Sequence, residues 1–556
     1  MIKKFFNNRF EVLMVLFALI IRVIGLDYGL PYIYNTDEYK VVNYALKFGS
    51  GDLNPKFFEY PSLYLYFMFF VYGIIFIMGK LFGIFKDTAD FAILYFRDPT
   101  IFYISARFFS VLFGVLNVIL IGVLAKKLFG RRVAVLSMIL FSVIPYIVEY
   151  CKIAKIEMSY LFVSLLFLLV IIKLIETKQE KYFYYSGILL GLGTSLKYIP
   201  VILFFIIFYA NWICFKKFFD KKIVIVFLLF FIFFVIGTPF SILDFSTFLK
   251  DIKALVSPTI SEFKNPFYLR LFMTFQTYLF VGSEIFKIPF LGILCYIGFF
   301  MCIVNFLKEK NPSYFLVLYP IVANFFIVAR HFVVMKHFIF LSIPFFIICG
   351  AYILDKVYTS SKILFYILFI VIFLPSFLES VLINYKYSQV DTRTIALEWI
   401  EKNITYGTKI LIDRYPNSPP LKMTKKQLEK LYKKAVELNH YKKEYFYWQL
   451  KAHPGEHYGY EIYEVYHPPH EIGTIKHQVE EAQKVRELVD VSVGIDEIKK
   501  LGIEYFVYNS YSAGVTTEPQ IKKFYQEIEE KTELITEFKP KTKFHPGPVI
   551  RIYKIE

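Results

Sequence analysis

The sequence predicts a polytopic α-helical membrane protein with a soluble α/β domain at its C-terminal end, and three observations carry that prediction. Of the 556 residues 57% are hydrophobic and 20% aromatic, with a mean hydropathy of +0.51; soluble globular chains stand at about 45–50% apolar. The apolar residues come in blocks of bilayer-crossing length separated by short polar loops. Past residue 385 those blocks stop, and Lys, Glu, His and Pro become common. Disorder and a soluble α/β enzyme are both excluded.

Taken in order, the chain opens with Lys3, Lys4 and Arg9 ahead of an apolar run over 10–30. The run resembles a signal peptide, but no small-residue cleavage site follows it and further spans do. It is therefore read as a retained first helix with a cytoplasmic amino end. Further blocks lie at 101–124, 133–148, 158–175, 184–197, 199–215, 222–240, 288–307, 313–330, 337–355 and 362–380. With the first helix they make about eleven spans. The loops Lys126-Lys127 to Arg131-Arg132, Glu176 to Lys181, Lys216 to Lys222, Lys308 to Lys310 and Asp355 to Lys362 are short and basic or mixed. Alternating sides places all of them in the cytoplasm and leaves the C-terminus outside. Residues 61–80 are also apolar, but a span there would reverse that parity. They are expected to form a juxtamembrane or re-entrant helix in a first outer loop over 31–100; counting 184–215 as one kinked span restores parity equally well.

The membrane domain is expected over 1–384 and the outer domain over 385–556, in a multi-pass protein of the plasma membrane. In the outer domain Lys409–Asp413, Tyr505–Tyr508 and Val549–Tyr553 read as strands, and Thr394–Asn403 and Lys425–Glu437 as amphipathic helices. The five cysteines lie in or beside apolar blocks with no metal-like spacing. The net charge of +17 reflects helix-orienting loops, so nucleic acid is not an expected partner.

Candidate chemistry sits in the loops of the other side. The first outer loop begins Pro31-Tyr-Ile-Tyr-Asn-Thr-Asp37-Glu38-Tyr39 and ends Phe57-Phe58-Glu59-Tyr60-Pro61-Ser62. A third acid, Glu157 in Lys152-Ile-Ala-Lys-Ile-Glu157, falls on the same face by parity. Acids at a lipid–water boundary are costly unless paired or functional. Arg107, Lys197, Arg330, His331, Lys336 and His337 gather there too, in short outer turns that should be poor in Lys and Arg. Snorkelling to headgroups explains any one of them. A site for an anionic lipid phosphate explains the set, since fixed cations bind the phosphate and stabilise the charge it gains as a leaving group. Arg22, inside the first span, is either a snorkel or a helix–helix partner.

These residues resemble a known family. Two acids after the first helix, Tyr60-Pro61 closing that loop, Ser105-Ala-Arg107-Phe-Phe-Ser110, the lone Glu157, and Gly187 to Tyr198 with Ser195-Leu-Lys197-Tyr198 are similar to the GT-C membrane glycosyltransferases. The nearest type is the family 39-like group of protein O-mannosyltransferases and lipid A aminoarabinose transferases. The likeness continues through Gly237-Thr-Pro239-Phe-Ser-Ile-Leu-Asp244, Lys336-His337-Phe with Pro344, and Asp391-Thr-Arg393, and so covers residues 10–415. It implies inverting transfer of a sugar, mannose being one option and the sugar left open, from a polyprenyl or dolichyl phosphate to an acceptor protein, glycolipid or polysaccharide outside the cytoplasm. It further implies Asp37 as the base, Glu38 as its orienter and Glu157 as a second acid. Arg107, Lys197, Arg330, Lys336 and His337 are implied as lipid-phosphate contacts, and Glu59, Tyr60 and Asp244 as acceptor or loop positions.

Two departures stand out. Relatives have Arg-Tyr where this chain has Lys336-His337, which replaces a planar fork by a point charge. Lipid A transferases have Lys-Pro-Pro after the loop acid, where here Glu59 is followed by Tyr-Pro-Ser. A divalent cation is left open as a cofactor, with no acid-rich cage evident. His440, His453, His457, His467, His470 and His477 are expected to form a solvated, acceptor-contacting or pH-sensitive surface, because Pro454 and Gly455 oppose a metal-binding helix. A transporter or flippase of lipid-linked sugars is the competing reading; it predicts mid-bilayer charges and internal repeats, and neither is evident. A simple membrane anchor needs one helix, and the Trp-Trp-Asp of oligosaccharyltransferases is absent.

Overall fold

The computed structural model describes residues 9–256, 266, 268–269, 271–272, 274, 289–330, 336–414, 417–467, 480–516 and 518–555. It divides into two compact units. The first comprises Met1–Leu26, Asp37–Tyr72 and Ile104–Asn384, and the second Asp27–Thr36, Gly73–Tyr103 and Tyr385–Glu556.

The described elements of the first unit are all helices. Its elements are α1 (Arg9–Val23), α2 (Thr36–Lys47), α3 (Leu63–Leu81), α4 (Thr88–Arg97), α5 (Thr100–Phe129), α6 (Arg131–Ser142), α7 (Pro145–Tyr150), α8 (Glu157–Thr177), α9 (Glu180–Leu196), α10 (Phe204–Phe215), α11 (Lys221–Gly237), α12 (Phe240–Leu243), α13 (Phe245–Val256), α14 (Pro289–Glu309), α15 (Pro312–Arg330), α16 (Ile343–Ser360) and α17 (Lys362–Tyr387), with α3 and α5 continuing into the second unit and α4 belonging to it. Seven described helices are long and apolar enough to cross a membrane, and α3 is one of them. Every apolar block is helical, but several helices are shorter than their blocks. The first ends at Val23 because Gly25 and Gly29 turn left-handed, at φ 75° and 76°. The block over 133–148 breaks ahead of Pro145. Pro145 has no N–H to give the Phe141 carbonyl, and Arg22 supplies the missing donor. Arg22 lies fully buried in α1, and its guanidinium donates to the carbonyls of Ala18 (3.0 Å), Ser142 (3.2 Å) and Phe141 (3.3 Å). It is thus a helix–helix partner and not a snorkel.

Small residues let α9 and α11 meet closely. A Cβ at Gly187 would stand 2.6 Å from the Val226 carbonyl oxygen, and one at Gly191 2.4 Å from that of Phe230. Without a hydrophobic drive between helices in lipid, such close backbone packing is what holds them. Four of the five basic loops predicted to share a face meet through ion pairs: Lys127 pairs with Glu176 at 2.7 Å, Arg132 with Asp355 at 2.7 Å and Lys222 with Glu180 at 2.5 Å. The five cysteines are free thiols.

The second unit is built on a six-stranded sheet of β1 (Lys409–Ile412), β2 (Glu461–Val465), β3 (Leu488–Val489), β4 (Tyr505–Asn509), β5 (Glu533–Phe538) and β6 (Ile550–Lys554), ordered β3-β2-β1-β4-β6-β5. The first four strands in that order are parallel, and β6 and β5 close one edge antiparallel. Alternation sends Leu411 and Phe506 to a core with Phe524 of the helix Pro519–Lys531. Ile410, Ile412 and Val507 go to the opposite core, with Ala396 and Ile400 of α18 (Thr392–Asn403). The three predicted strands and both predicted helices are present.

The predicted Asp391-Thr-Arg393 motif anchors this unit. Asp391 caps α18 and takes the Arg393 fork at 2.8 Å, while the Tyr28 hydroxyl donates to it at 2.6 Å. The Arg393 guanidinium lies 3.8 Å from the Tyr34 ring centroid. Residues 27–36 therefore pack within the second unit, although the sequence reading groups them with the membrane domain.

Candidate active site

The site is built around the first turn of α2 and the loop between α7 and α8. Two acids, Asp37 and Glu38, open α2, where the helix dipole favours negative charge. The two are held in opposite ways. Glu38 is 1% exposed and Arg107 of α5 is 3% exposed. Arg107 grips Glu38 through Nε at 2.8 Å and Nη2 at 2.9 Å, and its Nη1 donates to the Leu26 carbonyl at 2.9 Å. The Ala154 N–H adds a third bond to Glu38, at 2.8 Å.

Asp37 is 40% exposed, and Lys155 donates to it at 2.6 Å. Burial raises the Asp37 pKa, but Lys155 and Lys40 outweigh it and hold the carboxyl below its usual range. Burial lowers that of Lys155, and the carboxylates of Glu157 and Asp37 together with Tyr150 turn it upward. The ammonium also lies 4.8 Å from the Tyr150 ring centroid.

Glu157 is the first residue of α8 and is buried. One of its oxygens accepts from Lys197 at 2.9 Å; the other has no hydrogen-bond partner among the described residues. Lys197 lies just past the end of α9, over the Tyr160 ring at 5.3 Å. His337 occupies the short turn Lys336–Ile339. Burial, then Lys197, pushes its pKa down to about 4, so the ring is neutral at pH 7. Tyr60 faces the same charges: burial first, then Glu157, Asp37 and Glu59, raise its hydroxyl pKa. Glu59 is bound by Lys40 at 2.7 Å.

The structure thus brings Asp37, Glu38, Glu157, Arg107, Lys197, His337, Tyr60 and Glu59 into one charged region. Asp244 belongs to a neighbouring brace: it accepts from Asn54 at 2.8 Å, while Asp251 accepts from the Phe58 N–H at 2.8 Å and fixes the loop ahead of Pro61. Arg330 ends α15, and its side chain and that of Lys336 lie outside the described residues, as does His331. One expectation is revised. Arg107 was read as a phosphate contact, but its fork is closed on Glu38 and Leu26.

Sequence reading missed Lys152 and Lys155. Lys152 donates to the carbonyls of Ile21 (3.4 Å), Arg22 (3.2 Å) and Ile24 (2.5 Å) and so caps the end of α1. On the topology read from the sequence both lysines, like Lys197, fall on the face where the positive-inside rule disfavours them, and that signal would have found them.

In the second unit two of the histidines expected at the surface are buried: His440 bonds the Glu481 carbonyl at 2.9 Å and His467 the buried Asp413 carboxylate at 3.1 Å, while His453, half-buried, bonds the Met423 carbonyl at 3.0 Å. His457 is exposed, and His470 and His477 lie outside the described residues. Among the described residues no three His, Cys, Asp or Glu side chains gather as metal ligands.

Residues 103–241, which include Arg107, Lys155, Glu157 and Lys197, match the family model described as dolichyl-phosphate-mannose-protein mannosyltransferase. No curated protein matches the chain. Among solved structures, ArnT from Cupriavidus metallidurans in the apo state is similar over 98% of this chain and 97% of its own, at 11% identity and a TM-score of 0.50. The oligosaccharyltransferase AglB from Archaeoglobus fulgidus, in complex with an inhibitory peptide and a dolichol-phosphate, matches over 91% and 70%, at 13% identity and a TM-score of 0.47. The arabinofuranosyltransferase AftD from Mycobacteria matches over 98% and 40%, at 13% identity and a TM-score of 0.42.

Proposed function

We infer that this multi-pass membrane protein, which has the fold of the GT-C glycosyltransferases, transfers a sugar from a polyprenyl- or dolichyl-phosphate donor to an acceptor hydroxyl. One observation carries the reading: of the three acids Asp37, Glu38 and Glu157, Asp37 alone is substantially exposed, and it is kept ionised by a lysine. That is the state a base needs. In the reaction the acceptor hydroxyl gives its proton to Asp37, and its oxygen attacks the anomeric carbon from the side opposite the phosphate. The bond from that carbon to the phosphate oxygen breaks, leaving its electron pair on the phosphate and inverting the centre. Cations around the site stabilise the departing charge. Lys197 and Lys155 are placed to do so, with His337 as a neutral hydrogen-bonding group and Lys336 and Arg330 as further candidates. Glu38 and Arg107 hold the turn that carries Asp37, and the second Glu157 oxygen is an acceptor for a sugar hydroxyl.

The test is incubation of the purified chain with a panel of polyprenyl-phosphate sugars, beginning with mannose, together with peptide, glycolipid and polysaccharide acceptors. Release of lipid phosphate that depends on one donor and one acceptor is expected; no release from any donor would sink the reading.

We place the amino end in the cytoplasm and the C-terminal domain outside, on the positive-inside argument. Lys499 is exposed in the second unit. A Lys499→Cys variant should react with an impermeant thiol reagent on intact cells. Labelling seen only after permeabilisation reverses the topology.

A further inference from the structure

Neighbouring carboxylates in this site are held by different kinds of cation. Glu38 sits in a buried, bidentate guanidinium fork with a backbone N–H added, and exchanging that partner would strand two buried charges. Asp37 accepts from the Lys155 ammonium at a part-exposed position. Lysine is a compact point charge on a flexible stem, without the planar geometry that ties arginine to one carboxylate. The Lys155 backbone is itself fixed: the Ser110 hydroxyl donates to its carbonyl at 3.3 Å, and its N–H reaches the same hydroxyl at 3.4 Å. A change of partner is therefore left to the side chain. Both reacting charges need that cation in turn, since a carboxylate bound to an ammonium is a poor proton acceptor and a departing phosphate gains negative charge.

We propose that Lys155 is an exchange residue, which covers the Asp37 carboxylate while the donor is absent and moves its ammonium to the donor phosphate when the donor binds. Donor binding thereby uncovers the base, and a site without donor does not activate an acceptor hydroxyl. This rests on the reading above. Lys155 acts on the base by position: the acceptor proton still goes to Asp37, and the electron pair of the broken bond still goes to the phosphate oxygen.

A double-mutant cycle on equilibrium binding of dolichyl phosphate tests the exchange without turnover. Asp37→Asn removes the competitor for Lys155, so it should tighten binding by about tenfold, the worth of one charge-assisted contact. In a Lys155→Gln background the same change should tighten binding only about two- to threefold, through loss of charge repulsion alone. Lys155→Arg, which keeps a cation, should restore most of the difference and guards against a misfolded Lys155→Gln. Equal effects of Asp37→Asn in both backgrounds would overturn the exchange while leaving the transferase reading intact. Wild-type protein that does not bind dolichyl phosphate, and transfers no sugar from any polyprenyl-phosphate donor, removes both.

Discussion

Asp37→Asn abolishes sugar transfer and leaves the protein folded and able to bind its donor. The amide keeps the shape of the carboxylate and its place in the first turn of α2 but cannot take the acceptor proton. Loss of a general base lowers turnover by about 10²- to 10⁴-fold. The measurement is kcat for lipid-phosphate release, alongside donor affinity. Retained turnover removes Asp37 as the base. The pH profile gives a second check with a definite sign. Lys155 and Lys40 hold the Asp37 pKa below the usual carboxylate range, so its basic form persists as pH falls. The acid limb of kcat/KM should lie below that of an ordinary aspartate, and Lys40→Met should move it to higher pH.

Glu38→Ala destabilises the protein by about 3–5 kcal/mol, since it leaves the Arg107 guanidinium buried without its carboxylate. Arg107→Gln does the same from the other side. The double variant Glu38→Gln with Arg107→Gln should lose much less than the sum of the two, because it strands neither charge. Thermal unfolding in detergent reads all three. An unchanged melting temperature for Glu38→Ala, with donor KM raised tenfold, would instead return Arg107 to the phosphate.

Much of this was legible before the structure. The helices of the membrane half came from block length, since lipid demands long apolar helices, although seven described helices and not eleven are long and apolar enough to cross; the strands and helices of the second unit came from their periodicities. Asp37, Glu38 and Glu157 stood out because acids at a membrane boundary need a reason. The partners of these acids were not legible. Whether Arg107 serves a phosphate or Glu38 depends on contacts 69 residues apart, and no local pattern encodes them. The Lys155 partner was hidden for the same reason: its ammonium bonds Asp37, which lies far off in sequence. The assignment of 27–36 to the second unit was equally invisible, because it rests on Tyr28 meeting Asp391 across 363 residues.

The hexapeptide from Lys152 to Glu157 has a consequence for how this protein tolerates change. Lys152 stops α1, the Ala154 amide holds Glu38, Lys155 holds Asp37, and Glu157 takes Lys197. Those are four separate engagements along a stretch fixed at both ends by helices. Losing or gaining a single residue displaces everything beyond it by up to about 3.8 Å, more than any of these hydrogen bonds can stretch. The loop is therefore a ruler: a single-residue insertion or deletion harms it more than any one substitution within it, because each substitution forfeits one engagement and a change of length misplaces several together.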